Sequence, residues 1–188
     1  AEHTATGYEV TNISNDLYKT GDFTFSGNAT VKGTDAGTYN MELKASDFTN
    51  NSKNFSNVEF VIVDGTLTIS KRPVTLTSAT DSKVYDGTAL TNDEVTADGF
   101  ADGEGASYDV TGTQTEVGSS KNAFTYTLNE GTKASNYDIT TTEGTLTVTE
   151  LTDKVTVTIT ENSGSYMYDG AEHTATGYEV TNISNDLY

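Results

Sequence analysis

The chain holds two histidines and no cysteine, and both histidines stand in one setting, Ala-Glu-His-Thr-Ala-Thr, at His3 and His173. Cys-His nucleophilic catalysis is therefore excluded, and a Ser-His-Asp relay would rest on a single repeated histidine. In so threonine-rich a segment, a surface or strand-edge histidine is expected rather than a catalytic base or metal ligand. Glycoside hydrolysis would need two carboxylates set apart from the rest, and nothing distinguishes any pair among 28 Asp plus Glu. No enzyme and no cofactor are expected. Calcium is the one metal the sequence brings into view: in ADGFADGEGASYD, Asp98, Asp102, Glu104 and Asp109 lie among glycines that let a loop fold back. Their spacing matches neither an EF-hand nor a calcium-binding nonapeptide, so a solvated acidic turn is the expectation and a weak Ca²⁺ site the alternative. Lys71, Lys83 and Lys154, in or beside strands, are candidates for a Lys–Asn cross-link, which requires burial beside a carboxyl group; none is expected.

The elements that would have to position such groups are repeats. Residues Ala1 to Tyr18 read AEHTATGYEVTNISNDLY, and Ala171 to Tyr188 read the same, a verbatim return after 170 residues. A weaker period lies inside it. VTVTITENSGSYMYDGAEHTATGYE from Val155 echoes VTLTSATDSKVYDGTALTNDEVTADGF from Val74, and DGTLTISKR (Asp64 to Arg72) echoes EGTLTVTEL (Glu143 to Leu151). Between these, Tyr39, Met41 and Leu43 fall opposite Phe124, Tyr126 and Leu128, and Asn54-Phe55 opposite Asn136-Tyr137. This register yields residues 1–72 as a first module without its opening strand, 73–153 as a complete second module, and 154–188 as the opening strands of a further copy of the first.

Period-two alternation is strong in VTLT, TLTI, TLTV and VTVTIT, with Val74, Leu76, Leu67, Ile69, Leu146, Val148, Val155, Val157 and Ile159 on one face and threonines on the other. Threonine keeps β-branched stiffness on a wet face. Asp-Gly turns at Gly65, Gly87, Gly99, Gly103 and Gly170 make the strands short. Helical spacing is not sustained anywhere. The fold class is all-β: two small antiparallel β-sandwich-like modules in tandem, Ig-like or open-barrel, with closing hairpins such as Tyr137 to Glu150. The alternative is β-grasp-like modules, which need a crossing helix. A net charge of −18 repels phosphate backbones and anionic lipid and so argues against nucleic acid and membrane surfaces. Eleven Tyr and seven Phe supply the core that a disordered acidic chain lacks.

In Tyr85-Asp86-Gly87, Tyr168-Asp169-Gly170, Asn136-Tyr137 and Gly144 to Val148 the chain resembles the MBG and YDG repeat families of bacterial surface adhesins. The resemblance covers most of the sequence. It implies a secreted or cell-wall-attached protein of many tandem domains on the bacterial cell surface, with no catalytic residues to carry over. The expected function is a non-catalytic stalk that extends a binding tip; the alternative is that the modules themselves bind host glycan, mucin or a host protein through tyrosine faces. The expected partner beyond these is a second molecule, with Lys154 to Tyr188 completing the Ala1 to Arg72 module of a neighbour by strand addition or domain swapping.

Overall fold

The computed structural model describes Ala1–Asn185 and Leu187. The amino-terminal stretch forms six strands, β1 (His3–Thr6), β2 (Phe23–Phe25), β3 (Thr30–Gly33), β4 (Gly37–Asn40), β5 (Phe48–Asn50) and β6 (Thr66–Ile69). They pair antiparallel as β1–β3, β2–β5 and β4–β6. Strands of three or four residues present few aliphatic side chains to a core, and aromatic rings fill the gap. Phe25 and Phe48 lie 5.0 Å apart by ring centroid, Tyr8 covers both at 4.8 and 5.1 Å, and Phe60 stacks on Phe48 at 5.5 Å. The four phenylalanines Phe23, Phe25, Phe48 and Phe60 remain only half-buried. A short 3-10 turn precedes β2 and another precedes β5; Asp22 and Asp47 lock them by accepting the Lys19 and Lys44 backbone N–H, each at 2.8 Å.

The central stretch contains β7 (Arg72–Ser78), β8 (Asp81–Val84), β9 (Val95–Asp98), β10 (Ala106–Val110), β11 (Gly118–Asn122), β12 (Phe124–Leu128), β13 (Tyr137–Thr142) and β14 (Gly144–Thr149). They form sheets of order β13-β7-β9, β11-β14-β8 and β10-β12, with β8 running parallel to β14. Here the alternation does its expected work: Val74, Leu76, Leu146 and Val148 are buried, while Thr75, Thr145 and Thr149 face water. The Tyr137 to Glu150 segment is not a hairpin, however. β13 and β14 follow each other yet belong to different sheets, because the chain steps across at Gly144 as it also does between β7 and β8. At this corner Ser78 Oγ donates to Asn122 O (2.6 Å) and accepts from Gly144 N (2.9 Å). A Cβ at residue 144 would collide with the Ala79 carbonyl, which is why glycine stands there.

Residues beyond 150 form β15 (Val157–Glu161) and β16 (Tyr178–Ile183), an antiparallel pair with a register shift after Thr158. Every residue from Thr156 to Ser184 is exposed. The chain divides into two compact units built from discontinuous segments: Ala1–Leu76 with Ala97–Ser107 and Thr127–Thr141, and Thr77–Thr96 with Tyr108–Tyr126 and Thr142–Tyr188. The fold is all-β, with small antiparallel and mixed sheets and, among the described residues, no closed barrel, which is compatible with sandwich-like modules. Among the described residues helical structure is confined to three 3-10 turns, so the crossing helix of a β-grasp is missing.

Pairing also corrects the internal alignment. Gly37 faces Ile69 and Gly118 faces Val148, so β4 corresponds to β11 and not to β12. Tyr39, Met41 and Leu43 therefore do not match Phe124, Tyr126 and Leu128; a slip of an even number of residues preserves a period-two pattern and conceals itself. Likewise the counterpart of Asn136-Tyr137 is Asp47-Phe48, each preceded by Lys-Ala-Ser and a 3-10 turn, rather than Asn54-Phe55.

Candidate interaction surface

The two histidines share a sequence and differ in surroundings. His3 opens β1 opposite Gly33 and is exposed. His173 stacks on Tyr166 with centroids 4.2 Å apart and sets Nε2 2.9 Å from Asp169 Oδ1. Neither arrangement presents a nucleophile.

The four calcium candidates are not gathered into a site: among the described residues no three His, Asp or Glu side chains stand where they could hold a metal ion. Asp98 ends β9, Asp102 sits in a turn and Asp109 lies in β10, all three exposed. The Glu104 carboxylate is engaged otherwise, accepting the Tyr137 hydroxyl at 2.8 Å, while that hydroxyl accepts Ala101 N at 3.2 Å. Burial of the ring, with Glu104 beside it, pushes the Tyr137 phenol above its usual range. Tyr137 thus packs inward and ties down the acidic loop.

Tyr-Asp-Gly is resolved as an anchor and a turn. Asp86 Oδ1 accepts from Thr88 N (2.9 Å), Thr88 Oγ1 (2.8 Å) and Lys83 Nζ (2.7 Å), and Gly87 takes a φ of 78°. Tyr85 packs on Leu90, Leu146 and Val148 and donates its N–H to Thr149 O at 2.9 Å. The Lys83 ammonium is held by Asp86 and by Thr88, each at 2.7 Å. At Tyr168-Asp169-Gly170 the turn is kept: Asp169 Oδ1 accepts Ala171 N at 2.9 Å and Gly170 has a φ of 76°. The anchor is not, because Tyr168 is 99% exposed.

That contrast extends along the whole segment. Aligned on the two Tyr-Asp-Gly triplets without a gap, Val74 corresponds to Val157 and Leu76 to Ile159. The alignment is confirmed by one bond in both places, Ala79 N to Glu94 O at 2.9 Å and Asn162 N to Gly177 O at 3.1 Å. Val74 and Leu76 are 1% and 0% exposed; Val157 and Ile159 are 37% and 58%. β15–β16 thus matches β7–β9 without a strand in the place of β13, and its apolar face, with Tyr178, Val180 and Ile183, is bare. Conversely, β4–β6 matches β11–β14 without a strand in the place of β8. The candidate functional surface is this pair of open edges and the bare face beside one of them. The strand pattern and the unmatched opening strands were expected from sequence; which strand edges they leave open was not, since that depends on which strands neighbour which.

Carboxylates elsewhere are pinned by hydrogen bonds. Asp35 accepts from Lys133 Nζ (2.7 Å) and Asn136 Nδ2 (2.9 Å), and Asp81 accepts from Asn92 Nδ2 (3.0 Å) and Ser82 N (2.7 Å). These donors hold Asp35 and Asp81 below the ordinary carboxylate range, as Lys83 and Thr88 hold Asp86. A depressed folded pKa stabilises the fold above the unfolded value of about 3.9 and ceases to do so as pH falls through the folded value. The melting temperature is therefore expected to fall as pH drops below about 4, where unfolded carboxylates take up protons first. In Asp35→Asn/Asp81→Asn/Asp86→Asn the acid limb should flatten; an unchanged limb would remove these three residues from its cause. No family model, no curated protein and no solved structure matches the chain.

Proposed function

We propose that this chain is a non-catalytic spacer, a piece of the tandem-repeat stalk of a secreted or wall-attached bacterial surface adhesin, working outside the cell to hold a binding tip at a distance. The observation that carries this reading is the return of 18 residues without a change, which selection for a stereospecific site in each module does not require and tandem duplication for length does. Other features support it. The cores are small, the side chains able to do acid–base or metal chemistry are dispersed, and the excess of carboxylates keeps neighbouring stalks soluble and apart. The Lys133–Asp35 ion pair and the Asn136 bonds to Asp35 and Ala36 N (2.8 Å) tie two turns together within one compact unit. Adhesion then belongs to a part of the protein with a different sequence.

The experiment is a length series. Chains carrying one, two and three copies of the 170-residue period should gain a constant increment of maximum dimension in small-angle X-ray scattering. The same proteins should give no saturable binding on glycan and mucin arrays. Compaction on adding a copy, or saturable binding by a single period, would favour the reading in which the modules themselves take host glycan, mucin or protein.

A further inference from the structure

We propose that residues 154–170 of one copy of this chain complete the first 72 residues of a second copy, by adding two strands at two defined edges. The first added strand is β15, which enters beside β5. In the central stretch its counterpart β7 lies between β13 and β9, and β13 corresponds to β5 through the shared Lys-Ala-Ser turn. The second added strand is Gly164–Met167, which enters parallel to β6. Its counterpart β8 lies parallel to β14 in the register Leu146 with Asp81, Thr147 with Ser82 and Val148 with Lys83. Transferred through the pairings Gly37–Ile69 and Gly118–Val148, that register sets Leu67 against Gly164, Thr68 against Ser165 and Ile69 against Tyr166.

Three observations favour a second copy as the occupant. The added segment has the chemistry of a buried strand: Val157, Ile159 and Tyr168 are exposed where Val74, Leu76 and Tyr85 are covered. The acceptor has an incomplete core, with Phe23, Phe25, Phe48 and Phe60 half-buried around β5. At the second edge charge does not oppose the contact, since Asn162–Tyr168 and Thr66–Ser70 carry no charged residue in a chain of net charge −18. The acceptor also holds the means to continue the new sheet. Its Tyr8 to Ile13, identical in sequence to β16, forms no strand, so β15 can exchange its partner β16 for the same sequence in the acceptor. A two-stranded ribbon with one bare apolar face is marginal in water, and this exchange covers it.

The chain lacks cysteine, so introduced thiols report contacts without background. Thr68→Cys and Ser165→Cys are made in separate full-length chains, mixed and oxidised. Strand partners lie within disulfide reach, and the mixture should yield a heterodimer on non-reducing electrophoresis while each chain alone stays monomeric. In a Ser165→Cys chain that also carries Val157→Asp and Ile159→Asp, both exposed in the free chain, circular dichroism should be unchanged and cross-linking should fall at least tenfold. Absence of the heterodimer would overturn the proposal. So would a Thr68→Cys/Ser165→Cys chain that closes on itself regardless of dilution. Either failure leaves the length-series argument for a spacer standing.

Discussion

Replacing Leu76 by alanine is expected to destabilise the protein by about 3 kcal/mol, whereas Ile159→Ala should cost less than about 0.5 kcal/mol at protein concentrations that keep the chain monomeric. The two residues occupy equivalent positions, each between two threonines, on β7 and β15. What separates them is cover. Leu76 has no exposed surface, so truncation forfeits its transfer free energy and leaves a void that close-packed neighbours cannot fill. Ile159 keeps more than half of its surface in water, so removing it forfeits little burial. Thermal melts followed by circular dichroism read the difference directly, since 3 kcal/mol in a domain of this size lowers the midpoint by roughly 12–24 °C. Equal effects would mean that β15 is packed within its own chain. If the added-strand proposal holds, the Ile159→Ala penalty must grow with protein concentration while the Leu76→Ala penalty stays constant, because only the first residue becomes buried by association.

This pair also marks how far the sequence could be read. Alternation of apolar residue and threonine located β6, β7, β14 and β15, because a side-chain period of two is a local property of extended backbone. Asp-Gly located turns for the same reason: Gly87, Gly99, Gly103 and Gly170 all adopt positive φ, although Gly65 does not. Neighbourhood is not local. Tyr137 to Glu150 read as a hairpin because two alternating runs flank a Glu-Gly pair, yet the strands part into different sheets at that pair. The alternation could not show that Tyr39 had been matched four residues out of place, since an even slip returns every side chain to its face. A better signal was present in Lys44-Ala45-Ser46 and Lys133-Ala134-Ser135, whose identity fixes β5 against β13. The acidic stretch is a related case: four carboxylates close in sequence are carried by β9, a turn and β10, and among the described residues no three stand where they could hold a metal ion.

Asn122, with no feature that marked it in the sequence, is expected to be the least replaceable polar residue of the fold. Its side chain is fully buried at the corner where β7 and β13 pass their successors to another sheet; Nδ2 donates to Ala79 O at 3.0 Å and to Asn92 O at 2.8 Å. Both carbonyls belong to segments that have left their strands and have no ladder to join, so the amide substitutes for a missing partner. Oδ1 has no hydrogen-bond partner, and a Cβ at Gly112 would run into it, so the pocket admits neither a larger group nor a different orientation. Asn122→Asp has nearly the same shape and the wrong chemistry. It aims a carboxylate at two carbonyl oxygens in a fully buried site, and should cost more than about 3 kcal/mol at pH 7. Burial without donors raises the folded pKa of that Asp above its unfolded value of about 3.9, so the variant's folded state binds the proton that its unfolded state releases. Its deficit relative to the parent must therefore be greatest above the raised pKa and shrink as pH falls toward 4, the protonated acid restoring one of the two donated bonds. Asn122→Ala, which loses both bonds and leaves a small void, should be destabilised by about 2–3 kcal/mol with no comparable pH dependence. Denaturant unfolding of the three proteins at pH 7 and pH 4.5 distinguishes these outcomes. If the Asp variant matches the Ala variant at both pH values, the corner is wet and the amide does not hold the two sheets' connections in place.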